Sequence, residues 1–114
     1  MLRVAVLVLF AAACHAKSDG PPCGTVAGQF FAFAKTDLDH STVDDKTRRA
    51  VFDQLPAMRD QLANACSDGA WSGAVRTCMV GAADHAAFQA CEQQLTNDQR
   101  KALDQAAGAK PSVP

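Results

Sequence analysis

The chain has 114 residues, five cysteines and a formal charge of −1, with 48% of its residues hydrophobic. That is room for one domain around one core, and no stretch gathers enough Lys or Arg to track a nucleic-acid backbone. Isoleucine and tyrosine are absent and alanine is abundant, a bias toward helix and away from strand.

Met1-Leu2-Arg3 gives a short basic start, and Val4 to Ala13 is an uninterrupted apolar run of ten residues. That run is too short to span a bilayer as a permanent helix and suits the core of an export signal. Ala11-Ala12-Ala13 then precede Cys14. Small residues before a cysteine resemble the lipobox of bacterial lipoproteins, with Ala11 standing where that family usually has Leu. The resemblance implies that residues 1–13 are a signal peptide removed on export. Cys14 becomes the acylated N-terminus, carrying diacylglycerol and palmitate-type chains that tie the protein to an envelope membrane. An ordinary secretory signal cut after Ala13 or Ala16 is the alternative, and it would release a soluble secreted or periplasmic protein.

Residues 14–22 are polar and rich in Gly and Pro, which reads as a flexible tether. Residues 23–107 form the expected body. Gly24 to Leu38 reads as a first helix, with Val26, Ala27, Phe30, Phe31, Phe33, Ala34 and Leu38 making a wide apolar stripe. Such a stripe suits the central helix of a bundle, or an apolar groove for a lipid or a peptide helix. Ser41 and Thr42 each precede an Asp by three, so a capped second helix is expected from about Val43 to Cys66. In it Val51, Leu55, Met58, Leu62 and Cys66 keep one face. Pro56 removes one backbone donor, but the apolar phase continues past it, which predicts one kinked helix. Gly69 is the expected left-handed stop, with Asp68 free to cap the next helix.

Trp71, Ala74, Val75, Cys78, Met79 and Ala82 are spaced for one face of a third helix over about 70–82. Trp71 is expected in the core; as a ligand-stacking residue it would be exposed. Asp84 is placed to cap a fourth helix with Ala87, Phe88, Cys91 and Leu95 inward. Thr96 caps a fifth, with Gln99 as its reciprocal partner. Residues 108–114 read as a disordered tail. The fold class is therefore all-α, a small disulfide-stapled bundle of four or five short helices.

With Cys14 set aside, Cys23, Cys66, Cys78 and Cys91 allow three pairings. If each consecutive pair of helices folds back as a hairpin, Cys23 falls beside Cys66 and Cys78 beside Cys91, which favours those two bonds over the alternatives. Loop entropy would make them worth about 4 and about 3 kcal/mol. Without a C-x-x-C, no redox thiol pair is implied.

The pairs Arg48-Arg49 and Arg100-Lys101 are expected on solvated helix faces. His15, His40 and His85 are scattered, and no spacing matches a zinc or calcium loop. No Gly-x-Ser-x-Gly elbow or phosphate loop occurs, so neither catalytic residue, metal nor cofactor is expected. Leu95-Thr96-Asn97-Asp98-Gln99 is similar to the L-T-x-x-Q motif of small helical periplasmic chaperones and envelope-stress sensors. That resemblance implies binding of unfolded clients on a cradle-like helical dimer. The overall expectation is a non-enzymatic, exported structural or binding protein, membrane-attached through Cys14, with a possible protein partner and no nucleic acid.

Overall fold

The computed structural model describes residues 20–108, and the expected signal peptide and Cys14 lie outside them. Five α-helices follow one another: α1 (Cys23–Asp39), α2 (Asp45–Asp68), α3 (Gly73–Val80), α4 (His85–Ala90) and α5 (Asn97–Gly108). A 3-10 turn, Cys91–Gln94, joins α4 to α5. No strand occurs among the described residues. The molecule is the all-α, twice-stapled bundle that the sequence predicts.

The long antiparallel hairpin of α1 and α2 is the frame. At one end, the base, Cys23 is bonded to Cys66 with Cα atoms 5.7 Å apart. The second bond joins Cys78 to Cys91 at 5.9 Å and closes α3 on α4. Both Cα separations lie within the range a disulfide needs, and both pairings are the favoured ones. The short helices pack on the hairpin through Met79 of α3, Phe88 of α4 and Leu95 before α5, which meet Val26 and Leu62 in one buried cluster. Each such side chain contributes about 1.5–3 kcal/mol on burial. Trp71 is 3% exposed and belongs to this cluster, so it is a core residue.

Local chemistry sets the helix ends. α2 runs unbroken through Pro56. Its N-cap is Asp44, whose Oδ1 accepts from the Thr47 N–H at 3.3 Å, not Ser41 or Thr42. Ser41 instead donates its hydroxyl to the Leu38 carbonyl at 2.7 Å and closes α1. Asp84 caps α4 through the Ala87 N–H at 2.8 Å. Thr96 and Gln99 form the reciprocal box: Thr96 N–H donates to Gln99 Oε1 at 2.9 Å, and Gln99 N–H to Thr96 Oγ1 at 3.1 Å.

Several expectations shift. Gly69 is right-handed (φ −79°), and the left-handed residue is Ala70 (φ 48°). Gly69 is needed for another reason: a Cβ there would stand 2.8 Å from the Ala65 carbonyl oxygen and 3.1 Å from the Trp71 ring. α3 is shorter than expected and is capped by Ser72, not Asp68. Its first turn leaves Ala74 exposed. Gly108, expected in the tail, is the last residue of α5.

Candidate functional site

α2 is longer than anything that packs on it besides α1. α5 docks along its lower half: the Gln99 Nε2 group donates to the Gly69 carbonyl at 2.8 Å. Above that point an open groove of about 350 Å³ separates Gln61, Ala65 and Asp68 of α2 from Ala102 and Ala106 of α5. On the other side α4 lies against α1, where Phe88 meets Phe30 and Phe33 at ring distances of 6.3 Å. The upper half of α2 has only α1 beside it. Apolar side chains are exposed as a result: Val43 before the helix, Val51 and Phe52 in its upper half and Met58 just past its middle are 37–42% exposed, and they are the exposed large hydrophobic residues among those described. Val51 and Met58 were expected to face inward. Leu55 and Leu62, on the same stripe, are buried, so the stripe is right and its outer margin is uncovered. Beside it Arg59 stands 5.3 Å over the ring of half-buried Phe31, a cation–π contact that keeps a charge at the margin of the patch.

The phenylalanines thus divide. Phe88 is 2% exposed, Phe30, Phe31 and Phe33 are half-buried, and Phe52 faces solvent. Along the α1 stripe Val26, Ala27 and Leu38 are buried, and Phe30, Phe31, Phe33 and Ala34 are half-buried.

At the opposite end of the hairpin the sequence reading missed Arg76, which is 7% exposed. Its Nε donates to the Trp71 carbonyl at 3.1 Å. Its Nη1 donates to the carbonyl of Pro21 at 2.7 Å and reaches that of Gly20 at 3.4 Å. The tether was expected to stay free as far as Pro22; its last residues are instead bound into the body. A Cβ on Gly20 would stand 2.7 Å from the Gly73 carbonyl oxygen, so the two backbones touch there.

Arg48 and Arg100, expected on solvated faces, do the same work at other turns. Arg48 donates to the carbonyls of Ser41 at 3.0 Å and Val43 at 3.2 Å. Arg100 donates to those of Gln93 and Leu95, both at 3.3 Å. All three arginines are the fourth helical residue after an N-cap: Asp44, Ser72 and Thr96. A side chain on a helix leans toward the N-terminus, so an arginine at this position lies over the residue before the cap and can take its carbonyl. The signal in the sequence is Asp, Ser or Thr followed four residues later by Arg; it occurs four times, and in the fourth pair, Asp45 and Arg49, the Asp already lies inside α2 and is no cap.

Among the described residues two carboxylates have shifted acidity. Asp44 is held below its ordinary range by the hydrogen bonds from Thr47. Glu92, on the 3-10 turn, is raised by burial and by the nearby charge of Asp104, against the opposing pull of His85 and Arg100. His85 Nδ1 lies 2.7 Å from Asp37 Oδ2 and joins α4 to α1. No group of three or more His, Cys, Asp or Glu side chains that could hold a metal occurs among the described residues, and no described helix is long and apolar enough to cross a membrane.

Comparison with known protein families, with curated proteins and with solved structures finds no match. In this chain Leu95 is buried, and Thr96 and Gln99 cap α5.

Proposed function

We propose that this is an exported helical module, held to a bacterial envelope membrane through a lipid on Cys14, which binds a protein partner with the distal half of its α1–α2 hairpin. The apolar run and Ala11-Ala12-Ala13-Cys14 support the anchoring. The observation that carries the binding role is that the exposed large hydrophobics among the described residues, Val43, Val51, Phe52 and Met58, all lie on the second arm of one hairpin, between its turn and just past the middle of α2. A spacer with no partner gains nothing from uncovered Phe and Met side chains, whereas a docking surface does. A photo-crosslinking amino acid placed at position 52 or 58 in living cells should give one discrete adduct. The same group at exposed Gln93 should not. Equal labelling from all three positions sinks the proposal.

The same exposed side chains also favour a second reading, a periplasmic chaperone or envelope-stress module. In that case the protein should suppress aggregation of reduced α-lactalbumin, and Phe52→Asp should abolish the effect. Full suppression together with a smear of adducts, in place of one, would select the chaperone.

A further inference from the structure

We infer that Gly20–Pro22 is a strap, held by Arg76, that fixes where the N-terminal segment leaves the body and so sets the stance of the whole hairpin on the membrane. The inference rests on the anchoring proposed above and adds the geometry of that anchor.

Three observations carry it. The Arg76 guanidinium is buried and bonds the carbonyls of Pro21 and Gly20 across more than fifty residues of sequence. Gly20 packs so closely on Gly73 that no Cβ fits between them. The strap then runs without a break into α1, where Thr25 and Val26 N–H donate to the Pro22 carbonyl at 3.0 and 3.2 Å, and Cys23 is bonded to Cys66. A pull on the N-terminus therefore enters the body at the base, through a charged clamp and a covalent bond, with no free backbone between them.

A lipid on Cys14 would leave only residues 15–19 between anchor and strap, on the order of 17 Å when extended. α2 rises about 1.5 Å per residue, so Phe52 lies roughly 21 Å along it from Cys66. With the strap closed the chain leaves at the base, so the base stays within that reach of the headgroups, and the exposed apolar end, farther along α2, is the part free to stand away from them. The surface at Val51, Phe52 and Met58 is then one for a protein in the aqueous compartment, not for the bilayer on which the module stands.

The test uses the chain purified from the membranes of expressing cells. It is placed in nanodiscs of phosphatidylethanolamine and phosphatidylglycerol that carry a gadolinium-chelating lipid. The heteronuclear NOE at Gly20 should match that of the helices. Paramagnetic broadening should fall steadily along α2 from Asp68 to Asp45. Gly20→Val, whose Cβ would meet Gly73, and Arg76→Ala, which removes the donor, should each drop the NOE at residue 20 well below the level of the helices. Each should flatten the broadening gradient while Cys23–Cys66 stays intact. A low NOE at Gly20 in the parent overturns the strap. A gradient unchanged in both variants overturns its control of stance. Protein that fails to associate with the nanodiscs refutes the anchoring and with it the stance, and the Gly20 NOE still decides the strap.

Discussion

The two ends of the α1–α2 hairpin use one device in two settings. At the distal turn Arg48 gathers the carbonyls of Leu38, Ser41 and Val43, and its side chain is 31% exposed. At the base Arg76 gathers those of Trp71, Pro21 and Gly20 and is 7% exposed. The local geometry is the same, an arginine four residues after an N-cap, but the surroundings differ. Water can replace the bonds of Arg48 at little cost. The bond of Arg76 to the Trp71 carbonyl is buried and those to Pro21 and Gly20 are part-buried, so water replaces them less readily. The base therefore holds the fold together, and the distal end is free to carry a surface that the fold does not need.

The largest test of that division compares two phenylalanines. Phe88 is 2% exposed in the central cluster and Phe52 is 42% exposed on the distal half of α2. Phe88→Ala should cost about 3–5 kcal/mol of unfolding free energy, and Phe52→Ala no more than about 1 kcal/mol. Equilibrium urea denaturation with both disulfides intact would measure both. Equal costs would mean that Phe52 is a core residue and that the distal surface is not a surface.

Next in size is the arginine pair itself. Arg76→Ala leaves the buried Trp71 carbonyl and the part-buried carbonyls of Pro21 and Gly20 without their donor and should cost about 2–3 kcal/mol. Arg48→Ala, where water substitutes, should cost about 1 kcal/mol. The same denaturation series decides, and a cost for Arg48 as large as for Arg76 would remove the contrast.

Much of this was legible in the sequence, and the parts that were not share a common cause. The cysteine spacing predicted both bonds because a hairpin of helices puts ends together whatever the side chains between them do. Asp84, Thr96 and Gln99 were legible as caps because capping is a matter of a few adjacent residues. The tether was misjudged at Gly20–Pro22 because Gly and Pro read as free chain, while the group that binds them is a guanidinium 55 residues away from Pro21. Val51 and Met58 were placed inside because periodicity gives the direction of a face; it does not give the length of whatever covers it. α3, α4 and α5 are simply shorter than α2. The exposed apolar surface is that shortfall, and no local pattern announces it.

A smaller effect separates the two turns by backbone strain. The distal turn has no left-handed residue, whereas the base turn places Ala70 at φ 48°. A Cβ is disfavoured there by roughly 1 kcal/mol. Ala70→Gly should relieve it and stabilise the protein by up to about 1 kcal/mol, read as a rise in the urea midpoint. A fall would mean that Ala70 gains more from its methyl group than it loses to strain.

The smallest effect is one of pH, and here the two regions have opposite signs. Asp44, at the distal turn, is more acidic in the fold than in the open chain because Thr47 bonds its carboxylate. Its contribution is present above the ordinary Asp range near pH 4 and is lost as the pH falls through its folded value. Glu92 sits between the bundle and α5 and is less acidic in the fold, because burial and Asp104 disfavour its charge. Its contribution is fully favourable below the ordinary Glu value near 4.3 and is lost as the pH rises through its folded value. At pH 7 the ionised Glu92 therefore works against the fold. Glu92→Gln keeps the shape and removes the charge, so it should raise the melting temperature at pH 7, by an amount equivalent to no more than about 0.5 kcal/mol. Near pH 3.5, where the parent carboxyl is already protonated, variant and parent should melt together. Melting curves at the two pH values are enough. A gain of the same size at both would trace the effect to the amide's own contacts and not to the charge, and a loss at pH 7 would show that Arg100 and His85 outweigh burial and Asp104.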